Sequence, residues 1–310
     1  MPLIGPEYIA TWYYFLSQDG LMRIFERWSE RQRANPVPKK LLAGDIGTRV
    51  MDVPGQVWET SITSPLLIVE NAAGAQVEGV FDILRESFAF IQDPAQQQAV
   101  ALEQQALDPN GNAEGSVPYL LKSAEINIGQ EGVVVTLSFV SAIGGAFYPE
   151  FGPDLPPNFL ARTARFYDMR FNVTEDLGAF SYSIKKGSIK IAVDIEENYF
   201  MNTDQRPYFA IQGYHVNGDL EVVASPQDYE LIIQTQNPGD FTVVGSATTQ
   251  LQIRNAVNAQ LDAAGTLIDL GAANLNSYVE RSLSPGEITT IKIGFEHFVN
   301  YSTYLANNPQ

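Results

Sequence analysis

Apolar residues recur at every second position in four separate stretches of this chain. They are Val133, Val135, Leu137 and Phe139; Phe180, Tyr182 and Ile184; Val216, Leu220 and Val222, with Gly218 inside the series; and Ile291, Ile293 and Phe295. Successive side chains of a strand point to opposite faces, so a period of two buries one face and leaves the other in water. The pattern predicts antiparallel sheets with one covered face. Phe180 to Ile184, a turn at Lys186-Gly187, and Ile189, Ile191, Val193 and Ile195 running back read as a hairpin.

Helical spacing is expected in two places. Asp93-Pro94 with Gln96, and Thr249 with Gln252, have the composition of capping boxes, in which a side-chain oxygen meets the N3 amide and Gln reaches back. Ala95, Ala99, Leu102 and Ala106 follow the first, and Ile253, Val257 and Leu261 the second. The two starts lie 156 positions apart (249 − 93), and so do the strand residues Phe139 and Phe295 (295 − 139). A third pair of blocks, Val77-x-Gly79-x-Phe81-x-Ile83-Leu84 and Val216-x-Gly218-x-Leu220-x-Val222-Val223, reads as two glycine-bearing strands 139 apart (216 − 77). The shorter offset places an insertion within Ser225 to Ala247.

Matching blocks in one order on both sides of the chain point to a duplication. Its midpoint, Gly144 to Pro157, exchanges the alternating pattern for Gly, Pro and aromatics, as a linker does. The fold class read from the sequence is therefore mainly β with minor α. It comprises two tandem antiparallel β-sandwich or barrel domains, each with one flanking helix. Residues 1–143 form the first, with an N-terminal arm; residues 144–157 are the linker; residues 158–310 form the second. A length of 310 residues suits two such domains, each able to bury its own core.

The chain has no cysteine, which removes disulfides, thiolate metal sites, iron–sulfur clusters and cysteine nucleophiles. The 36 acidic residues exceed the 19 basic ones, giving a net charge of −17 that disfavours a generic duplex-binding surface. It suits a surface over which DNA slides without sticking. The first residues lack a basic leader, and the aromatic stretch from Tyr8 to Trp28 carries Arg23, Glu26 and Arg27. A soluble protein with no membrane segment is expected.

Chemistry-bearing motifs are sparse. His215 and His297 have no second ligand at metal spacing and are read as structural, His297 sharing the face of Phe295 and His215 lying just before a strand. Gly115-Ser116, Gly187-Ser188 and Gly245-Ser246 read as turns, and no nucleophile elbow or P-loop is present. Asp108-Pro-Asn110-Gly-Asn112 begins like a calcium loop, but Ala113 and Tyr119 replace the required glycine and bidentate glutamate. It reads as a helix C-terminal turn. Glu196-Glu197 is one of the adjacent acidic pairs to be expected in so acidic a chain. The sequons at Asn172 and Asn300 read as coincidental. No catalytic, cofactor or metal residue is predicted, and the chain is expected not to be an enzyme. Aromatics outside the regular strands, among them Tyr8, Trp12, Phe25, Trp28, Tyr148 and Tyr199-Phe200-Met201, fit a self-association surface.

The hairpin Phe180 to Ile195, the irregular loop Glu196 to Pro207, the series Ile211-x-Gly213-x-x-Val216-x-Gly218-x-Leu220-x-Val222, the helix near Thr249 and the last strand together resemble the tail-tube protein superfamily of long-tailed and contractile phages. The resemblance covers most of residues 162 to 298, and the first half through the internal match. It implies a homo-oligomer in which sheets of neighbouring subunits join into a closed ring. With two folds per chain, three chains make a pseudo-hexameric ring, and rings stack into a tube. It further implies a loop near Tyr199 touching the next ring, acidic residues toward the lumen, other tail or sheath proteins as partners, and passing genomic DNA without specific binding. The implied location is the virion tail, assembled in the host cytoplasm. A baseplate hub or tube-initiator ring is the alternative within the family. An alternative of another class is a carbohydrate-binding β-sandwich protein that uses an aromatic such as Trp28 or Trp58.

Overall fold

The computed structural model describes residues 13–16, 22–34, 37–40, 49–52, 56–71, 77–93, 103–107, 113–141, 150–151, 160–175, 178–199, 207–223, 247–253, 267–282 and 289–301. In chain order the first strands are β1 (Tyr13–Leu16), β2 (Met22–Phe25), β3 (Arg27–Ala34), β4 (Val37–Lys40), β5 (Arg49–Asp52), β6 (Gln56–Pro65), β7 (Leu67–Asn71) and β8 (Val77–Glu78). Helix α1 (Val80–Gln92) follows, then β9 (Glu103–Leu107), β10 (Ala113–Pro118), β11 (Leu120–Ile128), β12 (Val133–Ser141), β13 (Glu150–Phe151) and β14 (Leu160–Thr163). The remainder is β15 (Met169–Glu175), β16 (Gly178–Tyr199), β17 (Pro207–Val223), β18 (Ala247–Ile253), β19 (Leu267–Ser282) and β20 (Thr290–Asn300).

The chain is mainly β, as its alternation predicts, and the main sheet is antiparallel. Its ten strands run in the order β15-β18-β19-β20-β17-β16-β11-β12-β6-β3. A further pairing of β15 with β16 closes a circuit of six strands, from β15 through β18, β19, β20, β17 and β16 back to β15. Strand β16 is the fork. Its residues Gly178 to Ser183 pair with β15, whereas Gly187 to Ala192 pair with β11. One sheet thus takes strands from both sides of the sequence midpoint. Within the midpoint segment, Glu150 and Phe151 form a strand that pairs with Tyr14 and Tyr13.

The expected turn at Lys186-Gly187 is absent. β16 runs through it for 22 residues, with a register shift between Ile184 and Lys186. Gly187 takes φ +152°, and a Cβ there would stand 2.3 Å from the Asp219 carbonyl oxygen. Glycine is used here to bend a strand and let two backbones approach, not to reverse the chain. The reversal comes later, between Tyr199 and Pro207, which are paired. The irregular loop expected from Glu196 is correspondingly shorter, since residues 196–199 are strand.

Both expected helix starts are also corrected. Asp93 is the C-cap of α1, and residues 103–107 are strand, while Ala95, Ala99 and Leu102 lie outside the described residues. Thr249 and Ile253 belong to β18, between β15 and β19, and Val257 and Leu261 lie outside the described residues. Helix α1 occupies the block expected to be a strand. Phe81, Leu84, Phe88 and Ile91 are buried on one side of it at spacings of three and four. The Gly79 amide donates to the Asp82 carboxylate at 3.2 Å, which holds the first turn. That block and its supposed partner in β17 therefore differ in secondary structure. The expected insertion, up to residue 246, lies outside the described residues.

One apolar core gathers Phe81, Leu84, Phe88 and Ile91 with Ile126, Val135 and Leu137 from the first half and Ile191, Val216, Leu220, Ile293 and Phe295 from the second. The carboxyl end of α1 is fixed by residues far along the chain. The Tyr301 hydroxyl donates to the Ile91 and Gln92 carbonyls at 2.8 and 2.9 Å, and Gln92 Nε2 donates to the Asp269 carbonyl at 2.9 Å. The two Tyr301 contacts satisfy carbonyls that a helix end leaves unpaired, and the Gln92 contact ties that end to β19.

Candidate functional site

The face of the main sheet turned away from this core is a polar surface that crosses the midpoint without interruption. Ladder register places Ser29, Ser61, Ser138, Ser123, Ala192, His215 and Phe298 side by side in one row over β3, β6, β12, β11, β16, β17 and β20. A parallel row holds Arg27, Thr63, Thr136, Glu125, Lys190, Asn217 and Glu296. Residues directly opposite in an antiparallel pair share a face, and their neighbours one position along take the other. Alternation thus sends Ile62, Leu137, Ile126, Ile191, Val216 and Phe295 to the core and leaves hydroxyls, amides and charges outside.

Charges of opposite sign stand next to one another on this face. Arg31 and Lys122 reach Glu59 at 2.8 and 3.1 Å, Lys190 lies 3.6 Å from Glu125, and His215 Nε2 lies 2.8 Å from Glu296 Oε1. Burial alone would raise the Glu59 carboxyl; Lys122, Arg33 and Arg31 outweigh it and hold the group below the usual carboxylate range. Nearer the fork, Lys185 and Lys186 clamp the two oxygens of Glu221 at 2.9 and 3.1 Å. Burial opposes that carboxylate too, and the lysines still depress it to about 2. The Thr63 and Thr136 hydroxyls are 3.3 Å apart, so one donates to the other. A shallow recess of about 420 Å³ lies over Ser29, Glu59, Ser61, Lys122 and Ser138 on this face.

The sheet is not flat. Arg33 of β3 contacts Glu197 of β16, although four strand spacings of about 4.8 Å would separate these strands by roughly 19 Å in a plane. The sheet and the end of β16 must bend toward each other for those side chains to meet.

The residues singled out from sequence fall as follows. His215 lies within β17, not before a strand, and faces the polar side. His297 shares the side of Phe295, as expected. It is half-buried, 3.4 Å from the Tyr214 hydroxyl, and packed against Gly271. Burial lowers its pKa foremost, Asp269 partly restores it, and His215 lowers it further. The two imidazoles therefore occupy opposite faces. Glu196 accepts from Gln212, and Glu197 from Arg33. Asn172 lies in β15 and accepts from the Ser181 hydroxyl at 2.8 Å. Gly115-Ser116 and Gly187-Ser188 are in strands, which corrects the turn reading, whereas Gly245-Ser246 lies outside the described residues. Asp108 to Asn112 also lie outside them, but the flanking segments are paired strands rather than a helix end.

Of the aromatics, Phe25 is fully buried core, Trp58 is half-buried, and Tyr8, Trp12, Tyr148, Phe200 and Met201 lie outside the described residues. Phe298, which sequence reasoning passed over, is 68% exposed at the edge of the polar face. Its ring centroid is 6.3 Å from that of His215. The serine row was also missed. Its signal was present as small polar residues alternating with the apolar ones, but only the pairing register brings four strands' serines into line. Among the described residues no group of three His, Asp or Glu is placed to hold a metal ion, and no helix is long and apolar enough to cross a membrane. Neither a scan against protein-family models nor a search of curated proteins finds a match to this chain.

Proposed function

We propose that this chain is a structural assembly subunit rather than an enzyme, and that copies of it form a ring around a conduit, as tail-tube proteins of phages do. The observation that carries the reading is the polar face running over seven strands from both halves. A wall past which DNA slides has to be wetted and has to lack strong attractive fields. Short hydroxyls hold water without long side chains to snag a strand, and neighbouring charges of opposite sign cancel at short range. The lumen in this reading is a wall of mixed, locally compensated charge instead of a uniformly acidic one.

The closed circuit of six strands supports a barrel in the second half, and the bent sheet of β3, β6, β12 and β11 supports a second tube-like unit in the first. Three chains then give a pseudo-hexameric ring that stacks into a tube in the virion tail, assembled in the host cytoplasm, with other tail or sheath proteins as partners. A hub or tube-initiator ring uses the same construction. Light scattering across protein concentration with negative-stain microscopy tests the reading. Rings or tubes with a central hole are expected, and a strict monomer at every concentration overturns it.

A carbohydrate-binding reading has one observation in its favour. Exposed Phe298 borders a recess of about 290 Å³ that Asp194, His215 and Asn300 also line, and sugars bind to aromatic rings flanked by polar groups. Binding on a glycan array that Phe298→Ala abolishes would establish it.

A further inference from the structure

Among the described residues, two strand edges of opposite charge are paired on one side only. The first is β3, the last strand of the main sheet, which among the described residues is paired on one side only, with β6. Its neighbourhood is cationic. β3 itself carries Arg27, Arg31 and Arg33 against Glu30, in a chain of net charge −17. The Arg31 side chain is 72% exposed.

The second edge belongs to the end of the β16–β17 hairpin. Pairing of β16 with β11 stops at Ala192, and pairing of β17 with β20 begins at Gly213. Beyond those points, among the described residues, Asp194 to Tyr199 pair only with Pro207 to Gly213. A two-stranded arm is marginal by itself in water, and its outer edge offers backbone groups to any strand that can approach. This edge carries Asp194, Glu196 and Glu197. The two edges already meet within one chain, at Arg33 and Glu197.

We propose that β3 and the acidic arm are the two halves of a head-to-tail seam between copies of this chain. The cationic edge of one copy takes the arm of the next by strand addition, and the Arg33–Glu197 contact inside a chain is the unassembled form of the pair made across the seam. This rests on the assembly reading above and supplies its partner surface and direction. Like edges repel, so β3 does not pair with β3 nor arm with arm, and the unlike pairing that remains is heterologous, the kind of contact that builds a ring when its rotation closes. Strand addition contributes the backbone hydrogen bonds, and charge decides which edges come together.

Sedimentation velocity at about 0.15 M salt tests the seam with Arg33→Glu, Glu197→Arg, their equimolar mixture, and the chain carrying both changes. Each single variant is expected to associate at least about tenfold more weakly than the unaltered chain, and the mixture to recover, because each copy then supplies the charge its neighbour lacks. Recovery in the doubly changed chain without recovery in the mixture shows a contact that works only within one molecule, and overturns the seam. Should either single variant misfold by circular dichroism, Arg33→Cys and Glu197→Cys chains decide the matter. The chain has no other cysteine, so a mixed disulfide dimer on a non-reducing gel is expected, and its absence from an assembled sample overturns the seam. An unaltered chain that assembles indifferently to every change rejects the seam alone, whereas one that never assembles rejects the assembly reading with it. Binding of a duplex DNA fragment that Arg33→Glu abolishes while assembly stays intact makes the edge a nucleic-acid surface and also overturns the seam.

Discussion

Replacing Gly218 with alanine tests the packing logic of the sheet with a single methyl group. Gly218 sits opposite Phe295 in the β17–β20 ladder, and a Cβ there would lie 2.1 Å from Phe295 Cε1 and 2.3 Å from Cζ. Carbon atoms pack best at about 3.5–4.0 Å, so the ring has to retreat by more than an ångström. It has nowhere to go, because it is 1% exposed and stacked on Phe171 at a centroid distance of 5.0 Å. Overpacking of this kind costs about 1–3 kcal/mol, and disturbing the stacked pair about 0.5–1.5 kcal/mol more. Against this, alanine in a strand gains about 0.5–1 kcal/mol over glycine. The balance is a loss of about 2 kcal/mol, which for a chain of this size lowers Tm by roughly 4 °C. In the double variant Gly218→Ala/Phe295→Leu, the smaller side chain leaves room for the methyl group. The losses should then fall short of additive by at least about 0.5 kcal/mol. An alanine variant that melts higher than the parent, as an unconstrained strand glycine would give, refutes the packing account.

Gly187→Ala should lower the urea midpoint more than Gly218→Ala does, because the obstacle there is the Asp219 carbonyl and the φ is +152°, so backbone has to move. Tyr301→Phe removes the donor to the Ile91 and Gln92 carbonyls. It should cost about 1 kcal/mol and speed amide exchange in the last turn of α1 and not elsewhere. The folded state keeps His297 below its ordinary pKa of 6.5. Its unfolded form therefore binds the extra proton, and melting temperature should rise with pH up to about 6.5 and then level off; His297→Gln should remove that slope. Glu221 acts in the same direction in a more acidic window. Its pKa is depressed from 4.5 to about 2, so its contribution is complete above 4.5 and is lost as pH falls toward 2. In Glu221→Gln the acid limb of the pH–stability curve should flatten.

Strand content was legible in the sequence wherever one face is buried and the other wet, as in β12, β17 and β20. Period two is then a direct record of the two environments. Errors arose where one residue type serves two purposes. Val77 to Leu84 alternates over its first positions, yet the stripe Phe81, Leu84, Phe88 and Ile91 has helical spacing, and the longer pattern prevails because it buries more. Thr249 with Gln252 has the composition of a helix cap. The Thr249 hydroxyl instead donates to the Gly271 carbonyl at 3.3 Å inside the sheet, a tertiary outcome that local capping chemistry cannot anticipate. Lys186-Gly187 carries a turn's composition because a bulge with positive φ and a tight turn demand the same freedom. The polar face depended on register between distant strands, which no single segment encodes.

The fork in β16 sets an order of events during synthesis. Strands β11, β12, β6 and β3 are complete in the nascent chain long before residues 187–192 leave the ribosome, so the flank of β11 that β16 will cover stays uncovered meanwhile. At about 5–20 residues per second, the stretch from Ile128 to Ala192 takes several seconds to make. During that interval two nascent chains on one polysome present each other with the same vacant flank. Fast, sparse translation should therefore give more soluble product than dense loading of the same message.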